Sequence, residues 1–309
     1  KKNEDTTDGG AIFFYGVTAT ISGCQFINNK GNEIYNERSS TSFKEGNLLT
    51  ISNNKFERSD STITGSLIKN KWTLNSELVF ENNDIQIESS IKNVYLIELE
   101  GETNIKNMTC KNNCISPSTD FIINDSEMRA KLIEGFSSTC DETKPTNPDE
   151  TTTPIEPTNP VDPLPPIECP SPPNEAVNLS AGETPTTGKN LYGCNSILPR
   201  IDGNKTIIYL YSCIFRNLED SGNTGGGAIY HSTTSTGTPK GASNIFNCTF
   251  EGCKSSKGGA IMIYTGQYTR NFSIANCIFK KNEATIDGGA IYFYGVTATI
   301  SGCQFINNK

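Results

Sequence analysis

Apolar and polar residues alternate with a period of two in short segments of the chain that are rich in β-branched and aromatic residues. The alternation is clearest in ISGCQF, which ends at Phe26 and again at Phe305, and in IANCIF, which ends at Phe279. Residues two apart in a strand share a face, so the cysteine and the phenylalanine of each segment point to the same side. No apolar period of 3.6 residues extends over a useful length, which excludes helical repeats. The pattern predicts an all-β fold.

Two short motifs recur and divide the chain into coils. One is a short strand that ends in Cys-x-Phe, and ISNNKF, ending at Phe56, is a copy that lacks the cysteine. The other is Gly-Gly-Ala-Ile, whose copies begin at Gly9, Gly226, Gly258 and Gly288. Successive copies lie about 25 to 35 residues apart, the spacing of solenoids, in which stacked coils bury one another's faces. We therefore predict a parallel β-helix, right-handed by the usual crossover rule.

The shared face of the Cys-x-Phe strands predicts an inward-facing core ladder. Each coil adds one cysteine and one phenylalanine, about 4.8 Å from those of the next coil. The Gly-Gly pair supplies a bend where a side chain would collide with the neighbouring coil. The asparagine three residues after several of the phenylalanines fits a turn whose amide bonds to the next coil. The predicted ladder consists of Cys24, Cys213, Cys248, Cys277, Cys303, Phe26, Phe56, Phe215, Phe250, Phe279 and Phe305.

A longer repeat joins the two ends of the sequence. Residues 1–30 and 280–309 are identical at twenty-seven of thirty positions, at an offset of 279. The differences are Asp5/Ala284, Thr7/Ile286 and Phe13/Tyr292. Identity at this level predicts a tandem array, in which both ends of the chain fall inside a module.

The tandem repeat sets the predicted domain organisation. Residues 1–140 form the second half of a β-helix module, residues 141–189 a Pro/Thr-rich acidic linker and possible cap, and residues 190–309 the first half of the next module. In one interpretation, which we favour, the coils of 190–309 run on as if into residue 31 and form one continuous solenoid. In the other, the two halves are separate solenoids that each need a cap.

A change in composition marks the linker. Residues 141–175 contain eleven of the fifteen prolines, eight acidic residues and one basic residue, a net charge of −7 out of −8 for the whole chain. Proline fixes φ and lacks the backbone donor, so this segment is predicted to be extended and polyproline-like. The remainder is close to neutral and offers no basic surface for nucleic acid.

Cysteines and glycosylation sequons together indicate secretion. The sequence has eleven cysteines, but Cys303 repeats Cys24, so each 279-residue period contains ten. An even number is compatible with pairing in disulfides. The disulfide candidates are Cys110, Cys114, Cys140, Cys169, Cys194 and Cys253. The N-x-S/T sequons are at Asn107, Asn124, Asn178, Asn204, Asn247 and Asn271. We expect an extracellular or cell-surface glycoprotein of a eukaryote.

The GGAI motif, alternating with F-x-x-N as at Phe26 to Asn29 and Phe279 to Asn282, resembles the polymorphic membrane protein family of chlamydial adhesins and related protist surface proteins. The resemblance covers roughly 1–135 and 200–309. It implies a right-handed β-helix displayed on a cell surface, with adhesion as the usual role. The sequence is not expected to include the outer-membrane barrel of the family, and its sequons suit a eukaryote, so we carry over only the fold and surface display.

Catalytic and metal-binding patterns are weak. Asp8 and Asp287 are the same position one period apart and do not form a pair, and His231, the only histidine, is predicted to be a loop residue that opens a polar loop. The pairs Cys110/Cys114 and Cys248/Cys253 lack the second pair or the nearby histidine of a zinc site. We expect no enzymatic activity, no cofactor and no bound metal.

These observations favour a non-enzymatic structural unit of a glycosylated extracellular fibre or surface stalk. Its expected partners are neighbouring copies of itself, in a linear polymer or tandem array, and its covalent glycans. The alternative is a cell-surface adhesin whose loops bind host cells or glycans.

The sequons generate a first prediction. Alternation turns Asn247 outward, and Asn271 precedes its strand, so both are expected to carry glycans when the protein is secreted from a eukaryotic cell. Asn107, Asn178 and Asn204 are expected to do the same, with Asn124 the weakest site. Intact mass before and after amidase treatment measures the occupancy, and an unchanged mass would contradict the secreted interpretation.

Overall fold

The computed structural model describes most of the residues on either side of the linker. The described residues are 10–38, 48–72, 77–91, 95–100, 107–116, 133–137, 186–187, 190–192, 201–202, 208–211, 213–220, 222, 224–232, 243–265 and 271–309. The linker of 141–189 therefore lies outside the description except for Thr186–Thr187.

Short strands make up almost all of the regular structure. In the first half they are β1 Ile12–Tyr15, β2 Thr18–Ser22, β3 Gln25–Ile27, β4 Ile34–Arg38, β5 Leu48–Ser52, β6 Lys55–Arg58, β7 Ile68–Trp72, β8 Glu77–Glu81, β9 Asp84–Ile87, β10 Ile97–Leu99, β11 Asn107–Lys111, β12 Asn113–Ser116 and β13 Phe136–Ser137. The second part contributes β14 Thr186–Thr187, β15 Asn190–Tyr192, β16 Ile201–Asp202, β17 Tyr209–Tyr211, β18 Ile214–Arg216, β19 Ile229–Ser232, β20 Ser243–Phe246, β21 Thr249–Glu251, β22 Lys254–Lys257, β23 Ile261–Tyr264, β24 Asn271–Ala275, β25 Ile278–Lys280, β26 Glu283–Asp287, β27 Ile291–Tyr294, β28 Thr297–Ser301 and β29 Gln304–Ile306. One 3₁₀ turn, Ile133–Gly135, precedes β13.

Three long parallel sheets run side by side along the stack. Sheet I has eight strands in the order β10-β7-β4-β1-β27-β23-β19-β16, and sheet II has nine in the order β11-β8-β5-β2-β28-β24-β20-β17-β14. Sheet III has ten in the order β13-β12-β9-β6-β3-β29-β25-β21-β18-β15, and β22 pairs with β26 in a separate two-stranded sheet. Each complete coil contributes one strand to each long sheet, and the two ends of the stack carry incomplete coils. The predicted all-β parallel β-helix is confirmed.

Among the described residues, one large hydrophobic core fills the space between the three sheets and continues through both halves of the chain, beside a small cluster of Phe13, Tyr35 and Tyr292. The predicted phenylalanines form a column in the large core, because each sits at the same register position of sheet III. Ring centroids of consecutive members from Phe215 to Phe56 lie 4.7–4.9 Å apart, and their planes are within 10° of parallel. This spacing is the distance between neighbouring strands, so the rings repeat the backbone ladder.

Left-handed backbone turns join sheet II to sheet III and end sheet III. Asparagine fills this conformation repeatedly, because its short polar side chain tolerates positive φ better than other non-glycine residues do. The non-glycine residues with positive φ are Asn28, Asn53, Asn82, Asn112, Asn217, Asn247, Asn276, Lys281 and Asn307. The Gly-Gly pair works differently: a Cβ on Gly289 would overlap the carbonyl oxygen of Gly10 in the adjacent coil. These positions fix where each coil bends.

Candidate assembly interface

One residue after the left-handed turn between sheets II and III, a buried side chain links each coil to the next. We call this column the first corner ladder. In its cysteine section, the backbone N–H of each cysteine donates to the Sγ of the next at 3.4 Å, through Cys213, Cys248, Cys277, Cys303 and Cys24 in that order. In its asparagine section, Cys24 N–H donates to Asn54 Oδ1 at 2.9 Å, and the column continues through Asn83 and Asn113 at 3.0–3.1 Å.

Cysteine and asparagine serve the same purpose in this column. The Asn54 amide donates back to the carbonyl of Ile21 at 3.1 Å, and the Cys303 thiol lies 3.6 Å from the carbonyl of Ile274 in the equivalent direction. Each side chain thus accepts a backbone N–H and faces the carbonyl of a strand residue in the preceding coil. Because a buried, unpaired backbone group is costly, the ladder stabilises the turn. All five cysteines are buried free thiols.

A second corner ladder follows the end of sheet III. It runs from Cys253 through Asn282 and Asn308 to Asn29, with backbone N–H to Oδ1 distances of 2.8–3.0 Å. Each asparagine amide also donates to the carbonyl of a phenylalanine in the preceding coil, as Asn308 does to Phe279 at 3.0 Å. The F-x-x-N motif therefore marks this ladder at Phe26, Phe279 and Phe305, whereas its copy at Phe80 places Asn83 in the first ladder.

A buried ion pair ends the second ladder. Asn29 donates to Glu33 Oε2 at 2.7 Å, and the other carboxylate oxygen of Glu33 lies 3.2 Å from Arg58 Nε. The remaining guanidinium nitrogens of Arg58 donate to the carbonyls of Gly31, Gly65 and Ser66. Both side chains of the pair are fully buried, and burial raises the pKa of Glu33 although the nearby Arg58 opposes that shift. The pair is maintained by specific bonds against a desolvation penalty.

The two copies of the thirty-residue repeat meet in the middle of the stack. Strands β27, β28 and β29 of coil 289–309 pair with β1, β2 and β3 of coil 10–30, and every residue faces its own copy 279 positions away. Phe13 stacks on Tyr292 at 5.0 Å, and Phe26 stacks on Phe305 at 4.9 Å. Both ladders cross the contact, through Cys303 to Cys24 and Asn308 to Asn29. We call this contact the junction.

The structure corrects two disulfide candidates. Cys110 and Cys253 are buried free thiols, and burial raises the pKa of each to about 12, which keeps them protonated. Cys253 takes a place that asparagine fills in the following coils, so its role is in the ladder. Cys114 is disulfide-bonded, to a partner outside the described residues. The candidates Cys140, Cys169 and Cys194 also lie outside them.

Two of the sequon asparagines have described side chains, and both are exposed. Asn247 is exposed in a left-handed turn, and Asn271 is exposed at the first residue of β24. Asn107 is the first residue of β11. Asn124, Asn178 and Asn204 lie outside the described residues.

The placement of His231 differs from the sequence prediction. It lies in β19 with its side chain fully buried, in edge contact with the ring of Phe272 at 5.3 Å, and so is not a loop residue. The strand that contains His231 has only four residues, and a polar segment follows it, so the sequence did not indicate that this side chain is buried. Within the described ranges, no group of three metal-ligating side chains occurs, and no helix is long and apolar enough to cross a membrane.

An outward-facing column of tyrosines lies on sheet I. Tyr264, Tyr294 and Tyr15 are half-buried, with ring centroids 4.5 and 4.8 Å apart. Because stacked rings cover one another's faces, this column presents mainly ring edges and hydroxyls. Such an arrangement suits packing between coils better than stacking on a sugar ring, which needs a free face.

Comparisons of the chain with models of protein families, with curated proteins and with solved structures found no match.

The first ladder predicts which substitutions Cys24 tolerates. Asparagine can accept the Cys303 N–H as the sulfur does, and asparagine already occupies this position at Asn54. Cys24→Asn is therefore expected to change the free energy of unfolding by less than about 1 kcal/mol, whereas Cys24→Val leaves that buried N–H without an acceptor and costs about 1–3 kcal/mol. Urea unfolding followed by circular dichroism compares the two. Equal losses would show that the ladder contributes volume alone.

The ion pair predicts a larger effect. Glu33→Gln leaves the buried Arg58 charge unpaired and is expected to lower the free energy of unfolding by about 3–5 kcal/mol. Glu57→Gln, which removes a partner from the exposed Lys55–Glu57 pair, is the matched control and should cost less than about 1 kcal/mol. The midpoints of urea unfolding measure both. Losses of the same size would contradict a specific role for the buried pair.

Proposed function

We propose that the protein is a non-enzymatic structural unit of a glycosylated extracellular fibre or cell-surface stalk, built from tandem parallel β-helix modules. The observation that carries the proposal is the unbroken stack. Three sheets, one core and the first corner ladder run through both halves of the chain without a change of register at the repeated coil, and the second ladder crosses that coil as far as Asn29.

The direction of the bonds supports a mechanical role. In a stack of parallel coils, the hydrogen bonds between strands point along the long axis, so all three sheets join each coil to the next. The corner ladders add side-chain bonds in the same direction, and the aromatic column adds ring contacts. Because these contacts act in parallel, bending or stretching the rod would strain many of them at once, and the rod therefore resists both. This is the property that a fibre or stalk requires.

The outer surface supports the absence of catalysis. Acidic side chains on the outside of sheet I are neutralised by lysines: Lys69 contacts Glu98 and Glu100, and Lys71 contacts Glu37 and Glu100, at 3.0–4.0 Å. Catalysis by carboxylates needs acids whose environments differ and that converge on one groove. Paired charges spread along a flat sheet favour a soluble, inert surface instead.

The extracellular location and the likeness to polymorphic membrane proteins remain part of this proposal. The exposed sequons Asn247 and Asn271 support the first, since a glycan at either position would project from the rod. The GGAI and F-x-x-N motifs support the second, because the structure gives each of them a role in bending or linking the coils.

Electron microscopy of a recombinant protein carrying two complete 279-residue units in tandem tests the function. We expect straight particles with a fixed angle between units and twice the contour length of the one-unit protein. Units joined at freely varying angles would overturn the fibre and favour the adhesin. Glycan-array binding by the same preparation is the complementary measurement, and strong, saturable binding would favour the adhesin as well.

A further inference from the structure

We propose that the stack has a built-in opening point at the contact between coil 31–58, which contains β4 to β6, and coil 66–87, which contains β7 to β9. We call this contact the polar step. The two coils separate here more readily than coils do at a regular step, and each keeps its own structure. The biological meaning rests on the structural function above, since a fibre under load would yield at a defined place in each unit.

Two buried asparagines face each other across the polar step. Asn36 of β4 and Asn70 of β7 are register partners on the inner side of sheet I, and both side chains are fully buried. Within the described ranges, the amide nitrogen and the amide oxygen of each side chain are buried without a hydrogen-bond partner. A buried polar group without a hydrogen bond raises the free energy of the packed state, because water would satisfy it on exposure.

The same inner column of sheet I is apolar in the adjacent coils. Phe14 precedes Asn36 at this register position, and Leu99 follows Asn70. The companion inner column is isoleucine in every strand of sheet I, from Ile201 to Ile97. The asparagine pair therefore interrupts an apolar wall at the polar step.

Two contacts that join the preceding coils are missing from the polar step. The phenylalanine column stops at Phe56, whose register partner in the next coil is Ile85. The ring of Phe80 lies 6.1 Å from that of Phe56 and is tilted by 36°, compared with 4.9 Å and 10° between Phe26 and Phe56. The second corner ladder has already ended, at Asn29. The coils on either side of the step thus share less regular packing than the coils before them.

Hydrogen bonds hold the polar step instead. Arg58 donates to the carbonyls of Gly65 and Ser66. The N–H of Ser66 donates to Asn32 Oδ1 at 2.8 Å, and the three strand pairings continue. Water can replace hydrogen bonds when two coils separate, but it cannot replace the burial of phenyl rings. Opening therefore costs less here than at a step where the aromatic column is complete.

Native-state hydrogen exchange of the whole chain, resolved to single residues, tests the proposal. The N–H of Ile34 donates across the polar step to the carbonyl of Leu67 at 3.0 Å. Its counterpart Ile261 donates to the carbonyl of Ala290, also at 3.0 Å, across a regular step with stacked phenylalanines. Each amide belongs to the first residue of its strand. After correction for intrinsic rates, we expect Ile34 to exchange faster than Ile261 by on the order of tenfold or more, because the unbonded asparagines favour opening.

A third amide separates opening at the polar step from fraying at the end of the sheet. The N–H of Ile68 donates to the carbonyl of Leu96 at 2.9 Å, one step nearer to β10 at the end of sheet I. Fraying would release Ile68 before Ile34, whereas opening at the polar step releases Ile34 first. Equal protection of Ile34 and Ile261, or weaker protection of Ile68 than of Ile34, would overturn the proposal.

The double variant Asn36→Leu/Asn70→Leu tests the cause of the opening. Leucine has the branched shape of asparagine and already occupies the next position of the column, at Leu99. Without the buried amides, exchange of Ile34 is expected to slow by on the order of tenfold, while the protection of Ile261 stays unchanged. An unchanged rate at Ile34 in the folded double variant would contradict the role of the asparagines and overturn the proposal.

A control variant accounts for the effect of the substitution itself. Asn244 lies half-buried on the outer side of sheet II, so Asn244→Leu adds the same apolar group away from the polar step and should change neither rate. If the double variant does not fold, the comparison of the three amides in the unsubstituted chain decides the proposal. Neither result bears on the straightness of tandem particles in the microscope, so the structural function is tested separately.

Discussion

The structure depends on how the turns of each coil satisfy their backbone hydrogen bonds. Sheets pair the backbone groups of the strands, but the corners lie outside the sheets and would leave buried N–H groups unpaired. Asparagine or cysteine at the corner accepts an N–H and approaches a carbonyl, as Asn282 does with Cys253 and Phe250. Because each such side chain joins neighbouring coils, the solution for one turn also fixes the register of the next.

This constraint explains why the chain uses free cysteines in a setting that suggests disulfides. A buried thiol is small, apolar and still able to accept a weak hydrogen bond, so it fits a crowded corner next to an aromatic column. At Cys253 the pKa is raised by burial to about 12, which keeps the thiol protonated and unreactive. Cys114 is half-buried in β12 and does form a disulfide. Position within the coil, more than the number of cysteines, determines which ones pair.

The ladders also explain why a coil can stack on a copy of itself, as coil 289–309 does on coil 10–30. When every coil presents the same corner groups, a coil can stack on any neighbour that continues the columns, including its own copy. The second ladder ends at the buried ion pair, where Glu33 and Arg58 take the place of the next asparagine. Buried ion pairs are poor sources of stability but demand a particular partner. The chain therefore combines an interchangeable coil with one place where the register is set by charge.

The sequence by itself determined the strands, the parallel stacking and the inward cysteines and phenylalanines, because alternation and a 25- to 35-residue spacing leave few ways to bury those faces. It also indicated the F-x-x-N turn, whose chemistry is local. Only the tertiary structure decided that Cys110 and Cys253 are free, that His231 is interior, that Glu33 meets Arg58 and that coil 289–309 stacks on coil 10–30. Each of these depends on the register between coils distant in sequence, and register is a property of the packed stack, which no single segment contains.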